Sequence, residues 1–277
     1  MEESPLVTVY IPTYNRLNLL HRAVESVLNQ DYQNIELIVV DDGSNDGTVD
    51  YLEELAGKES RVRYFVNAKN SGACVSRNRA IFFANGEFIT GLDDDDYFLP
   101  ARIRRFLYSW ARKRKKTVAL FSNAIVCSEN GIKKSTRRPK IIAQQDLVDQ
   151  NYIGNQVFTT VKALRDIGGF DIELPILQDL DAWYRLLGEH YLAERISYPT
   201  YVVDKSHPHE RIGLRNGGKV KLAFQRLSRK YELTSLEESC FKIHILGEDN
   251  IIKRKVHLLH RFFSRPTLRN FFNFIAH

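Results

Sequence analysis

Four consecutive aspartates, Asp93 to Asp96, are the side chains of this sequence best suited to chemistry. They follow an apolar run with strand character, residues 88–92, and precede Tyr97-Phe98-Leu99-Pro100. Four adjacent carboxylates repel one another, so at the end of a buried strand they need a compensating cation. A hard divalent ion such as Mg²⁺ or Mn²⁺, bound to substrate phosphates, would supply that charge. The alternative is a solvated acidic turn that caps the next helix, with Pro100 at its first position.

A second acidic pair, Asp41 and Asp42, follows another apolar run, residues 35–40. A nearly continuous apolar strand is typical of a parallel sheet that is covered on both faces. Ligands of such sheets bind beyond the carboxyl ends of the strands, so both acidic groups are expected to line one crevice. The second pair therefore favours the cation-binding interpretation of the aspartate run.

Strand and helix patterns alternate over residues 7–124 and would position these carboxylates. An α/β domain with a mainly parallel sheet flanked by helices is the fold that this alternation predicts. The predicted strands are 7–12, 35–40, 62–65, 87–92 and about 117–124, and the predicted helices are 17–28, 48–55, about 73–84 and about 101–112.

The second half of the sequence is less regular. Residues 131–140 look like a basic loop or hairpin, 179–187 form a short amphipathic helix pattern, and 191–203 hold one or two strands. From Lys219 onward, apolar residues such as Leu222, Phe224 and Leu227 recur at helical spacing. This pattern predicts a helical appendage that ends in an aromatic and basic tail.

Charge is strongly segregated along the 277 residues, whose net charge is +6. Residues 100–140 carry a net charge of +12 and residues 218–277 a net charge of +7, whereas the remainder is acidic. A basic surface suits contact with lipid phosphates or another polyanion, and the alternative is plain solvation of helix faces. The C-terminal helices are accordingly expected either to touch an anionic membrane or to pack on the domain or on a second copy of the chain.

The cysteine content, the first residues and the lengths of the apolar stretches together predict a cytoplasmic protein. The three cysteines have no metal-ligand spacing and suggest a reducing compartment. The first residues lack the pattern of a signal peptide, and no stretch approaches the ~20 apolar residues of a membrane span.

Several residues at the predicted strand ends could bind a nucleotide. Tyr14 could stack on a base, and Arg16 could approach a phosphate. Asp42 could accept the N3–H of a uracil ring. Ser71-Gly72 opens a helix whose N-terminus suits an anion, and Arg77, one turn inside it, could reach the base or its diphosphate. For each of these, a turn or a helix cap is the competing interpretation.

Asp179 and Asp181 lie in the first turn of a predicted helix. A spacing of two residues places them about 200° apart around the helix, so only one can face the crevice. A carboxylate there could act as the general base of a group transfer. Capping of the helix N-terminus is the alternative.

In combination and in order, these motifs resemble family 2 glycosyltransferases, and the resemblance covers roughly residues 5–205. It implies the GT-A fold, and the predicted catalytic domain is 1–217, made of a nucleotide-binding half 1–100 and an acceptor-binding half 101–217. The family pattern does not cover residues 218–277, whose helical spacing and charge predict a basic helical extension. The matching segments are Pro12-Thr13-Tyr14-Asn15-Arg16, Asp41-Asp42-Gly43-Ser44, Asn70-Ser71-Gly72 with Arg77-Asn78, Leu92-Asp93-Asp94-Asp95-Asp96 and Gln178-Asp179.

The resemblance also implies roles for individual residues. Asp179 would be the catalytic base, although Gln178 stands where the family has glutamate, which leaves acceptor contacts at that position open. Asp95 and Asp93 would bind the metal, with His207 as a weaker candidate, and Arg211 is a weaker candidate for the diphosphate. The residues expected to hold the nucleotide sugar are Pro12, Tyr14, Arg16, Asp42, Arg77, Asp93 and Asp94.

The function that follows is a metal-dependent inverting transfer of a sugar, with Mn²⁺ or Mg²⁺ as cofactor. The donor would be a nucleotide sugar, in particular a UDP-sugar. The acceptor would be a hydroxyl of a glycan, expected to be lipid-linked and to belong to surface-polysaccharide or lipopolysaccharide assembly at the inner face of the cell membrane.

Two other classes of protein account for fewer of these motifs. A nucleotidyltransferase needs a glycine-rich basic loop after the first strand, which residues 12–16 do not supply. A nucleic-acid-binding module would rely on the basic run at 112–116, but no recognised motif accompanies that run. No nucleic-acid partner is therefore expected.

Overall fold

The structure, a computed structural model, describes residues 4–128, 131–134, 138–207 and 217–246. The strands are β1 (Val7–Thr13), β2 (Ile35–Asp41), β3 (Val62–Val66), β4 (Phe88–Gly91), β5 (Tyr97–Phe98), β6 (Thr117–Phe121), β7 (Ala124–Ser128), β8 (Gly131–Lys134), β9 (Ile141–Ile142), β10 (Phe158–Thr160), β11 (Leu192–Arg195) and β12 (Tyr201–Asp204). The helices are α1 (Leu17–Leu28), α2 (Thr48–Lys58), α3 (Ala73–Phe83), α4 (Arg102–Trp110), α5 (Asp146–Asp149), α6 (Val161–Asp166), α7 (Gln178–Leu187), α8 (Gly217–Lys230) and α9 (Ser235–Leu246).

A large sheet with the strand order β3-β2-β1-β4-β10-β6-β11-β9 forms the centre of the described chain. All of its strands run in one direction except β10 and β9. Every residue of β1 and β2 is buried, as expected for strands covered by helices on both faces. The predicted α/β fold with a mainly parallel sheet is thus confirmed.

The order of β2, β1 and β4 positions the acidic segments. These three strands are neighbours and run parallel, so Tyr14, Asp42 and Asp93 leave the sheet at the same edge. A second sheet, β5-β12-β7-β8, lies in the part of the chain after the aspartate run. Its β7 and β8 form an antiparallel hairpin, which overlaps the predicted basic loop or hairpin of residues 131–140 only at 131–134.

Some elements differ from the prediction. The single strand expected near 117–124 divides into β6 and β7, which join different sheets. β10 was not predicted, although it lies in the middle of the large sheet. Its sequence, Phe158-Thr159-Thr160, has no long apolar run, and its place in the sheet depends on distant partners in β4 and β6.

Helix α8 packs into the same hydrophobic cluster as the helices and strands of the sheet. Its buried residues are Val220, Ala223, Phe224 and Leu227, whereas Leu222 is 42% exposed. Including Leu222 in the apolar face was therefore wrong, because the true face recurs at intervals of three and four. Among the described residues, no helix is both long and apolar enough to cross a bilayer. The tail beyond residue 246 lies outside them.

Candidate active site

A cavity of about 670 Å³ opens at the carboxyl edge of β1, β2 and β4. Loops before α3 and α7 close its sides, so segments far apart in sequence share one space. Sequence-predicted residues that line it are Pro12, Tyr14, Arg16, Asp42, Arg77, Asp93, Asp94, Asp95 and Asp179.

The first two carboxylates of the aspartate run each pair with an arginine. Asp93 Oδ1 lies 3.1 Å from Nη2 of Arg77, and Asp94 Oδ1 lies 3.0 Å from Nη1 of Arg16. Asp94 Oδ2 also accepts a 2.9 Å hydrogen bond from the hydroxyl of Thr13. Both arginines reach the run from other elements, the β1–α1 junction and α3.

The other two carboxylates point to further partners. Asp95 Oδ2 lies 3.4 Å from Arg16 Nη1 and 3.4 Å from Nε2 of His207. Asp96 accepts hydrogen bonds from the Tyr201 hydroxyl at 2.8 Å and from the backbone N–H of Asp204 at 3.0 Å. The expectation that the run needs an external cation was thus too strong, since the chain itself supplies positive charge and hydrogen-bond donors.

Burial sets the electrostatics of this cluster. It raises the pKa of Asp94 to about 6, because the effect of burial and of the neighbouring Asp95 charge outweighs that of Arg16. Burial acts to lower the pKa of Arg77, yet the Asp93 carboxylate beside it keeps that pKa above the ordinary value. Arg77 therefore remains a fixed positive charge in the cavity wall.

At the end of the cavity formed by β1 and β2, Tyr14 is 42% exposed and Asp42 is buried. The Asp42 carboxylate accepts hydrogen bonds from the backbone N–H groups of Ser71 and Gly72, at 3.0 and 2.7 Å, and from the side chain of Asn67 at 2.7 Å. Asp42 therefore fixes the loop that leads into α3, a role that the sequence did not reveal.

The structure distinguishes the two carboxylates at the start of α7. Asp181 is fully buried and lies 2.5 Å from Arg185 and 2.7 Å from Lys230, on the side of the helix that faces α8. Asp179 lines the cavity instead. The two side chains separate as the helical period requires.

Asp179 is held by two hydrogen bonds. Its Oδ2 accepts one of 2.8 Å from the side-chain amide of Asn151, and its Oδ1 accepts one of 2.9 Å from the N–H of Leu180. Burial nevertheless raises the pKa of Asp179 above its ordinary value. Gln178 also lines the cavity, and its side chain donates to the carbonyl of Leu174.

Sequence reasoning missed the segment 151–156, whose side chains bind both Asp93 of the aspartate run and Asp179 of α7. Asn155 donates to Asp93 Oδ2 at 2.6 Å, and Gln156 donates to Asp93 Oδ1 at 3.1 Å. Asn151 makes the bond to Asp179 described above. The only signal was local enrichment in amide side chains, which is common in loops. Arg138, a further cavity residue, was also missed.

The side chains around the aspartate run include potential metal ligands. Within the described ranges no group of three or more His, Cys, Asp or Glu residues is arranged to hold a metal ion. Asp95 Oδ2 and His207 Nε2 are 3.4 Å apart, and both side chains are buried. A carboxylate and an imidazole at this spacing fit two positions of one ion, with substrate oxygens filling others. Arg211 lies outside the described residues.

Two solved structures share the fold. S. aureus TarS 1-349 in complex with UDP-GlcNAc superposes with a TM-score of 0.67 at 16% identity, over 98% of this chain and 79% of that one. The mannosyltransferase PcManGT from Pyrobaculum calidifontis, in complex with GDP-Man and Mn²⁺, gives a TM-score of 0.61 at 18% identity, over 99% and 80% of the two chains. Both likenesses support the GT-A architecture.

The amino-acid sequence is also similar to that of a named glycosyl transferase. WcaA of Escherichia coli (strain K12), whose name places it in colanic acid biosynthesis as a glycosyl transferase, is 35% identical over 251 residues, 85% of this chain and 88% of that protein. The family model "Glycosyl transferase family 2" matches residues 8–168, more than half of the chain, from β1 to the end of α6. This chain therefore belongs to glycosyltransferase family 2.

Proposed function

We propose that this enzyme transfers a sugar from a UDP-sugar to an acceptor hydroxyl with inversion at the anomeric carbon, and that Asp179 is the base. The observation that carries the proposal is that Asp179 lines the same cavity as Asp93, Asp94 and Asp95, although about 85 residues separate them along the chain. A partly buried carboxylate in the same cavity as a charged strand end suits a single displacement.

The nucleotide would lie at the end of the cavity formed by the loops after β1 and β2. Tyr14 is exposed enough to stack on the base, and Asp42 borders the same space. Because the loop bonds of Asp42 already use both carboxylate oxygens, its contact with the base would add to a structural role. Arg16 would lie beside the diphosphate, where it offsets negative charge as the leaving group departs.

The chemical step needs one proton acceptor. Asp179 would take the proton of the acceptor hydroxyl while the oxygen forms a bond to the anomeric carbon, and the bond from that carbon to the diphosphate breaks with its electron pair on the leaving oxygen. One displacement turns an α-linked donor into a β-glycoside. Asn151 would keep the carboxylate aimed at the hydroxyl, and the raised pKa of Asp179 makes it a stronger base than an exposed aspartate.

A divalent cation, Mn²⁺ or Mg²⁺, belongs to the proposal. Asp95 and His207 would hold it, with Asp93 as the remaining predicted ligand. When bound, the ion would neutralise the charge of the diphosphate. The Mn²⁺ in the PcManGT complex supports this part of the proposal. Arg16, which also approaches Asp95, would have to share that carboxylate.

We place the reaction in polysaccharide biosynthesis, on the strength of the likeness to WcaA. A lipid-linked acceptor, as in surface-polysaccharide or lipopolysaccharide assembly at the inner face of the membrane, would suit the basic C-terminal region of net charge +7. The apolar face of α8 is already packed in the core, so this helix would meet lipid through its basic side. Sedimentation with anionic liposomes at low and high salt tests the contact, and absence of binding at both salts excludes it.

A panel of nucleotide sugars, assayed by calorimetry with and without Mn²⁺ and Mg²⁺, tests the donor and the metal. We expect a UDP-sugar to bind, with higher affinity when the metal is present. Metal-independent affinity would remove the cation from the proposal. No binding of any nucleotide sugar would refute the function itself.

Replacement of the base tests the chemical step. Asp179→Asn should lower turnover by ~10²–10⁴-fold, the usual share of general-base catalysis, and leave UDP affinity within about twofold of the wild type. Asp166→Asn, which removes an exposed carboxylate from α6, is the control and should retain full turnover. Near-normal turnover of Asp179→Asn would exclude Asp179 as the base.

A further inference from the structure

Arg138 contributes a positive charge to the wall of the cavity that Asp179 also lines. Its side chain lines the cavity together with Gly154, Asn155 and Gln178. Nη1 donates a 2.7 Å hydrogen bond to the backbone carbonyl of Ile153. In the described part of the chain, no carboxylate lies within ion-pair distance of this guanidinium.

The other two arginines of the cavity differ in this respect. Arg16 is neutralised by Asp94, and Arg77 is neutralised by Asp93. Around Arg138 the local charge is instead positive, because Arg195 lies close and donates from Nε to the Arg138 carbonyl at 3.0 Å. Burial, together with the charge of Arg195, lowers the pKa of Arg138. An anion arriving here would relieve both effects.

The surrounding loop is shaped to hold the guanidinium in place. Gly154 has a φ of +88°, and a Cβ atom at this position would lie 2.7 Å from Nη1 of Arg138. The Gly154 carbonyl accepts a 2.7 Å bond from the indole N–H of Trp183, and its N–H donates to Asn151 at 3.0 Å. Since Asn151 also holds Asp179, one rigid loop sets both the cation and the base.

We propose that Arg138 binds an anionic group on a sugar substrate, specifically the carboxylate of a uronic acid. A guanidinium donates two parallel hydrogen bonds to a carboxylate, a geometry that no hydroxyl reproduces. The diphosphate of the donor is already assigned to Arg16 and the divalent cation of the proposed function, so it does not require Arg138. The inference rests on the proposed function, and the acidic sugar is either the donor or the acceptor.

Two matched pairs of probes distinguish an acidic donor from an acidic acceptor. UDP-glucuronic acid and UDP-glucose differ as donors only in the carboxylate, and methyl β-D-glucuronide and methyl β-D-glucoside differ in the same way as acceptors. Affinities are measured by calorimetry with Mn²⁺ present, the donors on the free enzyme and the acceptors on the enzyme with UDP. One pair should show a preference of about tenfold or more for the acidic member, the size of one charge-assisted hydrogen bond.

Substitutions then assign the preference to Arg138. Arg138→Met should abolish it while the neutral member of the pair binds within about twofold of the wild type, and Arg138→Lys should retain part of it. Lys140→Met removes an exposed positive charge two residues away and should change nothing. Thermal melting of each variant shows that it is folded.

The outcomes are distinct. Equal affinity within both pairs, or a preference that survives Arg138→Met, would overturn the inference while leaving the glycosyltransferase proposal intact. Failure of the wild type to bind UDP at all would instead refute the proposed function. A preference among the donors assigns the acid to the transferred sugar, and a preference among the acceptors assigns it to the growing glycan.

Discussion

At the scale of single residues, the cavity shows how four adjacent carboxylates coexist at the end of a buried strand. Asp93 and Asp94 pair with arginines from different elements, Asp95 lies between Arg16 and His207, and Asp96 binds a buried tyrosine hydroxyl. Each carboxylate therefore has its own positively charged or hydrogen-bonding partner, and these partners limit the repulsion among the four negative charges. Such a cluster is already largely compensated, and a metal ion would join it by redistributing these contacts.

Asn151 offers a test of what sets the pKa of Asp179, the proposed base. Its amide donates to the ionised form of Asp179, so Asn151→Ala should disfavour that form and raise the Asp179 pKa further. Activity that needs the carboxylate is lost as pH falls through this pKa. The acidic limb of the turnover profile should therefore move to higher pH, by about half to one unit.

The measurement is the pH dependence of turnover at saturating donor and acceptor. Asn29→Ala, an exposed substitution after α1, is the control and should leave the limb in place. An unchanged limb in Asn151→Ala, or one displaced to lower pH, would show that Asn151 does not act through Asp179.

At the scale of elements, α7 serves two purposes on two faces. One face presents Asp179 to the cavity, and the other buries Asp181 against Arg185 of the same helix and Lys230 of α8. Tyr231 donates a further hydrogen bond to Asp181. The face that lines the cavity is thus supported by an ionic contact on the other side of the helix, which Asp181 makes two residues along the chain.

Asp181→Asn should test this contact. It keeps the shape of the side chain but leaves Arg185 without its carboxylate partner and Lys230 with Asp171 as its remaining one. We expect the free energy of unfolding to fall by about 2 kcal/mol, less than the ~3–5 kcal/mol of fully buried pairs because both cations are partly exposed. Urea denaturation measures the change.

The matched control is Asp171→Asn, which removes the more exposed of the two carboxylates that contact Lys230. Its cost should stay below about 1 kcal/mol. If both variants lose the same free energy, burial of Asp181 would not be the reason for its importance.

At the scale of the whole molecule, the described part of the C-terminal region is not separate from the α/β domain. Val220, Ala223, Phe224 and Leu227 of α8 belong to the hydrophobic cluster that also contains Trp183 of α7. The division at residue 217, a prediction from composition, therefore crosses a shared core. Removal of α8 would expose apolar surface next to the helix that carries Asp179.

Two neighbouring residues of α8 measure this coupling. Phe224→Ala should cost about 3–4 kcal/mol of unfolding free energy, as expected for an aromatic side chain that is 4% exposed. Leu222→Ala, at 42% exposure on the same helix, should cost less than ~0.5 kcal/mol. Chemical denaturation compares them. Equal losses of unfolding free energy in the two variants would mean that α8 does not contribute to the hydrophobic core.

The sequence by itself determined the alternation of apolar strands and helices over the first half of the chain, and with it the edge at which the aspartates gather. Helix α1 illustrates why, since its apolar residues repeat at 3.6-residue intervals and its bounds follow directly from them. The sequence also identified the two candidate carboxylates of α7, because an acidic first turn, like the apolar periodicity of a helix, is a local pattern.

Only the tertiary structure decided which of those two carboxylates faces the cavity, and that arginines from β1–α1 and α3 compensate the aspartate run. The same holds for β10, for the 151–156 segment and for Arg138. These features depend on partners dozens of residues away, and a short polar segment carries no periodicity by which its place in a sheet or a cavity wall could be recognised.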